Sequence, residues 1–183
     1  MLIGKNGFFR KMSWKNVSES LCDVALALAV VGDRWTLLIM REISLGSRRF
    51  EEIQAQTGMS SLLLANRLKR LESDGVIERR LYSEHPKRYE YHSTQKGKDL
   101  DPVLLALRAW SLKYERCGSK KKRPAVHLIY KETGEVIDET WSVPNGKPFH
   151  FSDAQGTMSK EWRAERDANK LAFQAGKKKA KAS

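Results

Sequence analysis

Asn66, Lys69 and Arg70 recur at three- and four-residue spacing inside the stretch SSLLLANRLKRLESDG, which begins at Ser60. On a helix that spacing gathers them with Leu62 and Ser73 on one side, opposite an apolar row of Leu64, Leu68 and Leu71. The polar side has the chemistry of base reading. An asparagine amide pairs bidentately with adenine, lysine and arginine reach guanine or phosphate, and a leucine can meet a thymine methyl. Ser60 and Ser61, at the start of the helix, offer hydroxyl and backbone N–H groups to a phosphate. A second polar group, His85, Lys87 and Arg88, falls in SEHPKR. A basic tip of that kind suits phosphate contact or entry into a minor groove. The plainer alternatives are a solvated amphipathic face for Asn66, Lys69 and Arg70, and an internal ion pair between Arg88 and Glu90. Tyr82, Tyr89 and Tyr91 read as packing rather than base stacking.

Covalent or hydrolytic chemistry has no residue set of its own. His85, His92, His127 and His150 lack metal-ligand spacing, and no H-E-x-x-H, G-x-S-x-G or phosphate-loop sequence occurs. The carboxylates are interspersed with basic residues, as on solvated helix faces. The expectation is a protein that is not an enzyme, with no cofactor and no metal.

Positioning those side chains requires a particular order of elements. A helix over Cys22–Val31 is apolar nearly all round, so it must be deeply buried or lie between subunits. A second runs from Asp33, as N-cap, to Ile43, and a third from Arg49 to Thr57, stopped by Gly58. The fourth opens at Ser60 and ends at Ser73 before Gly75. Strands over Val76–Tyr82 and Arg88–Ser93 follow, joined by the loop SEHPK. Thr94 then caps a long helix from Gln95 to Arg116, with an apolar stripe of Leu100, Val103, Leu104, Leu107, Trp110 and Tyr114. Beyond Pro124, VHLIYKETGEVIDETW alternates like a hairpin, and a helix is expected from Ser159 to Ala175, ended by Gly176. Two short helices, a glycine turn and a two-stranded wing make a winged helix-turn-helix. The fold class is mainly α with small β: a two-stranded wing, flanking dimerisation helices and an extra C-terminal hairpin.

Residues 1–20 are unpatterned and read as a flexible arm, 21–118 as the DNA-binding and dimerisation domain, and 119–183 as a basic extension with hairpin, helix and disordered lysine tail. The net charge of +12 is concentrated at the ends, notably in Lys120–Arg123 and in Lys177, Lys178, Lys179 and Lys181. Such runs attract any polyanion without selecting one. Cys22 and Cys117 are too few for a disulfide framework or a zinc site. A buried, inert thiol is the default for Cys22, since Asp23 opposes the helix-start effect that lowers a thiol pKa. No signal peptide or membrane span is evident, so a cytoplasmic, nucleoid-associated protein is expected.

These residues resemble the HxlR family of bacterial transcriptional regulators. The resemblance runs through Cys22-Asp-Val-Ala-Leu-Ala-Leu, Gly32-Asp-Arg-Trp-Thr-Leu-Leu-Ile-Met-Arg-Glu and Arg49-Phe50. It continues in Leu64-Ala-Asn-Arg-Leu-Lys-Arg-Leu-Glu-Ser-Asp-Gly75, Tyr82, Pro86, Arg88-Tyr-Glu-Tyr91, Thr94 and Gly97. It implies a homodimer, with first and last helices packed between subunits, that binds a near-palindromic operator in double-stranded DNA. It also implies a candidate redox sensor at Cys22, the place where some members sense electrophiles or oxidants. The family's proline after that cysteine is Asp23 here, a commonly polar position is Leu62, and a frequent threonine is Ala65. Residues after Pro124 lie outside the shared core. Operator, effector and direction of regulation are not readable. Two rival readings stay open at this point, a winged-helix module for protein interaction and an enzyme acting on nucleic acid.

Overall fold

The structure, a computed structural model, describes residues 14–114 and 124–182. Helical apolar spacing dominates the first half of the chain, and four helices form there: α1 (Asp23–Val31), α2 (Thr36–Ser44), α3 (Phe50–Thr57) and α4 (Ser61–Ser73). Asp33 starts α2 as expected, though from one turn outside it. Its carboxylate accepts from the N–H groups of Trp35 and Thr36 and from the Thr36 hydroxyl. Gly58 closes α3 with φ of 68°, a left-handed turn that a side chain would strain. The chain then re-enters helix at Ser60, whose Oγ accepts from Leu63 N–H at 3.3 Å. Met59, buried inside that turn, and Leu64, Leu68 and Leu71 of α4 pack against Ile39, Met40, Ile43 and Ile53. Each such leucine contributes about 1.5–3 kcal/mol by burial.

β1 (Ile77–Glu84) and β2 (Lys87–Ser93) form the antiparallel wing, with Ile77 opposite Ser93 and Glu84 opposite Lys87. The strands reach further than SEHPK suggested, so only His85 and Pro86 turn the corner, and Lys87 joins Arg88 in β2. Tyr82 has no partner across the wing and forms a bulge.

Four expectations need correction. The long helix after Thr94 is broken into α5 (Gln95–Lys98) and α6 (Asp101–Lys113). Pro102 lacks the N–H that a continuous helix would give to the Lys98 carbonyl, and its ring would clash there. Gly97 packs so closely on Val76 that a Cβ would run into the Val76 carbonyl. The hairpin after Pro124 is also different, because β3 (Val126–Tyr130) pairs with β4 (Ala154–Met158). Residues 135–141 do turn back on β3 at Gly134 as expected, with Tyr130 N–H donating to the Glu135 carbonyl and Ile137 N–H to the Leu128 carbonyl, but they form a single Ile129–Val136 bridge and no strand. Asp138 turns the chain away there by accepting from the N–H groups of Thr140 and Trp141. A second core then forms from Leu128, Tyr130, Ile137, Phe149 and Ala154.

The last helix, α7 (Lys160–Ala182), passes straight through Gly176 and takes in the lysine tail expected to be disordered. Ala, Lys and Gln on either side are strong helix formers, so one glycine does not stop it. At the other end Trp14–Glu19 is a turn of 3₁₀ helix whose Val17 is buried, not a free arm. Residues 1–13, Cys117 and the Lys120–Arg123 run lie outside the described residues. Among the described residues no helix is long and apolar enough to cross a membrane.

Two buried carboxylates join the extension to the rest of the chain. Glu42 of α2 is fully buried and accepts from Arg166 of α7 at 2.9 and 2.7 Å. Burial would push its carboxyl up, but hydrogen bonds and charge from Arg166 and Arg41 hold it below the usual carboxylate range. Asp101 of α6 accepts from Phe151 N–H at 3.0 Å and from the Ser44 hydroxyl at 3.2 Å. There burial outweighs the hydrogen bonds and raises the carboxyl.

Candidate nucleic-acid interface

The outer face of α4 is built from what the core leaves over. Leu64, Leu68 and Leu71 point inward, so Leu62, Ala65, Asn66 and Lys69 are turned to solvent. Leu62 is 73% exposed, which is costly for an apolar side chain and places it in contact range of any partner. Asn66 and Lys69 make no hydrogen bond or ion pair with any described residue, so their polar groups are available. Ser60 and Ser61 are partly committed. Ser60 caps α4, and Ser61 Oγ accepts from Gln54 Nε2 at 2.9 Å, although both hydroxyl protons stay free to donate.

Arg70 is held differently from its neighbours. Its guanidinium donates to the Ala29 carbonyl of α1 at 2.6 Å and pairs with Asp74 at 3.6 Å. It therefore ties α4 to α1, and reaching a base would mean releasing that carbonyl. Arg67 is also engaged, with Asp33 at 3.3 Å. Of the basic residues on α4, Lys69 alone is uncommitted among the described residues.

The wing stands beside the start of α3. The Arg49 backbone bridges to Glu90, and Tyr91 N–H donates to the Arg48 carbonyl at 2.8 Å. Glu52 locks this end by accepting from the N–H groups of Arg48 and Arg49 at 2.9 and 3.0 Å. Between α3 and the wing opens a cleft of about 580 Å³, lined by Arg49, Tyr82, Lys87 and Arg88 among others. Lys87 and Arg88 are exposed, as is His85 at the tip. The internal pair weighed for Arg88 does not form. Glu90 instead meets Arg49 at 3.4 Å and His92 at 3.4 Å.

Arg49 is the residue that sequence reasoning missed. Its guanidinium lies 4.5 Å from the Tyr82 ring and faces the cleft. The Arg48-Arg49 pair directly before a helix start was the available signal, since helix starts commonly meet phosphates.

Cys22 is exposed, contrary to the buried thiol expected. It precedes α1, and Ala29, where Arg70 attaches, lies seven residues further, about 10 Å along the axis. Exposed apolar side chains run along α1 (Val24, Leu28) and α6 (Val103, Leu107, Trp110), continuing at Tyr114. Spacings of three and four place each set on one stripe.

The family model described as HxlR-like helix-turn-helix matches residues 30–118. An uncharacterized HTH-type transcriptional regulator of Mycobacterium tuberculosis is 36% identical over 115 residues, 63% of this chain and 71% of that protein. The uncharacterized HTH-type transcriptional regulator YvaP of Bacillus subtilis is 38% identical over 100 residues, 54% of this chain and 93% of that protein. Among solved structures, PA1607, a proposed transcription factor, superimposes with a TM-score of 0.58 at 30% identity, covering 78% of this chain and 97% of that one.

Proposed function

Because this chain belongs to the HxlR family of helix-turn-helix transcriptional regulators, we propose that it binds a near-palindromic operator in double-stranded DNA as a homodimer. The observation that carries the reading is the outer face of α4. Leu62, Asn66 and Lys69 are exposed there, and Asn66 and Lys69 have no partner among the described residues, next to a wing whose Lys87 and Arg88 are also exposed. Asn66 reads an adenine, Leu62 meets a thymine methyl, and Lys69 takes guanine or phosphate. Ser60 and Ser61 donate to a backbone phosphate, and Lys87 and Arg88 contact phosphates beside the groove. Arg70 serves as a brace between α4 and α1 and contacts DNA only after leaving Ala29.

The apolar stripes of α1 and α6 favour two copies. Leu107 and Trp110 are 47% and 49% exposed, a costly arrangement unless a second subunit covers them. A two-fold dimer sets two α4 helices about 34–36 Å apart, one DNA turn. The reading places the protein in the cytoplasm, on the nucleoid.

Selection of bound duplexes from a random pool tests this directly. A dyad-symmetric sequence is expected from the wild type, with one base position per half-site relaxed in Asn66→Ala. Recovery of no preferred sequence, with no affinity for mixed duplex even at low salt, would favour a protein-interaction module instead.

A further inference from the structure

We infer that the lysine-rich end of α7 is a third DNA-backbone contact, set beside the wing by its docking on α3; this rests on the DNA-binding reading above. The charge along α7 is strongly uneven. Its first ten residues, 160–169, carry three basic and three acidic side chains, while residues 170–182 carry five lysines and no acid. Lysine near a helix C-terminus also complements the macrodipole, but that effect is confined to the last turn. Lys170 and Lys177 stand before it.

The direction of docking decides where this charge goes. Near the end of α3, Gln56 Nε2 donates to the Arg166 carbonyl at 3.0 Å. At the start of α3, Lys177 Nζ reaches Glu51 Oε1 at 2.5 Å. The two helices are therefore antiparallel, and the basic end of α7 lies at the amino end of α3. Glu51 borders both the groove under α7 and the cleft against the wing. The last turns of α7 consequently leave α3 on the side where Arg49, Lys87 and Arg88 stand. From Lys177 to Ala182 the helix advances about 7.5 Å more. Lys177 also neutralises Glu51, which would otherwise repel a phosphate approaching the cleft.

The anchor is at the opposite, neutral half. Arg166 makes both hydrogen bonds to the buried Glu42, and the Trp162 ring lies 5.0 Å from the Arg166 guanidinium and 6.0 Å from that of Arg41. A helix fixed at Arg166 holds its lysines in one place, unlike a free tail. The partner that fits is the phosphodiester backbone flanking each half-site. Arg166 is a positioning residue, Lys177 holds Glu51, and Lys178 and Lys179 are the contacts.

The test is salt-dependent binding of the full-length protein to mixed-sequence duplex, with hydroxyl-radical footprinting on a selected site. The variant Lys177→Gln/Lys178→Gln/Lys179→Gln should bind with a salt slope shallower by about two, since each lost phosphate contact removes about 0.9. It should also lose protection at one backbone position outside the wing. Arg166→Gln, with every lysine retained, should lose the same protected position. An unchanged slope in the triple variant would overturn the contact. A shallower slope there with an unaltered footprint in folded Arg166→Gln would overturn the positioned helix in favour of diffuse charge. Should Arg166→Gln not fold, the footprint of the triple variant decides alone. Wild-type protein that binds no duplex at low salt would remove the proposed function itself, an outcome distinct from either of these.

Discussion

The outer face of α4 and the inner face of α7 are both polar stripes on amphipathic helices, and the protein uses them in opposite ways. On α4, Asn66 and Lys69 are left without partners among the described residues, with Leu62 exposed one turn before them. On α7, Arg166 is sunk against a carboxylate with no solvent exposure, and Lys177 is paired with Glu51. An open polar face costs the fold nothing, because water satisfies it until a ligand arrives. A buried charge must be matched within the fold, since an unpaired one costs several kcal/mol. Substitutions on the first face should therefore change binding and spare stability, while loss of the Glu42–Arg166 pair should cost stability.

The largest effect expected is on stability. Glu42→Ala strands Arg166 and Arg41 and should lower the unfolding free energy by about 3–5 kcal/mol in urea titration. A loss below about 1 kcal/mol would mean that the contrast between the faces is wrong. Asn66→Ala should leave the urea midpoint unchanged and reduce discrimination at one operator position by about 1–3 kcal/mol, read from binding to single-base operator variants.

The two buried carboxylates give opposite pH dependences. Glu42 is depressed in the folded state, so its stabilisation is present above the unfolded carboxylate value of about 4 and is lost as pH falls through the folded value. Asp101 is raised, so its contribution is fully present below that unfolded value and is lost as pH rises through the folded one. Melting temperature against pH should lose its acid-side fall in Glu42→Gln and part of its opposing slope in Asp101→Asn. Identical curves for wild type and both variants would contradict the assignments.

The smallest effect falls to Lys87→Ala. It should weaken all sequences alike, with a salt slope shallower by about 0.9 and no change in melting temperature. A sequence-dependent loss would move Lys87 from backbone contact to base reading.

The helix-turn-helix and wing were legible because their signals are local. Gly58 and Ser60 mark a turn by backbone conformation and capping, and the leucine row of α4 sets its buried face by period alone. The same periodicity misled at Leu100–Tyr114. The stripe continues across Pro102, while the missing N–H there interrupts the helix. Beyond Pro124 alternation correctly marked β3 but not its partner. Pairing with Ala154–Met158 depends on the aromatic packing of Trp141, Phe149 and Phe151, which lie far from β3 in sequence. At the candidate site, the exposure of Asn66, Leu62 and Lys69 followed from helical phase. The capture of Arg70 by Ala29 did not, because a 41-residue separation leaves no periodic trace.

By itself the sequence determined the order of elements, the face α4 turns outward and the family, since each rests on neighbours within a few residues or on a spaced motif. Only the tertiary structure decided which cations are spent and which are available. Arg70, Arg67 and Arg166 carry the same charge as Lys69 and Lys87, and their roles depend on whether the fold brings a carbonyl or carboxylate within hydrogen-bond distance. That is a property of packing between distant segments, where a partner a few ångströms away outweighs any preference written into the residue itself.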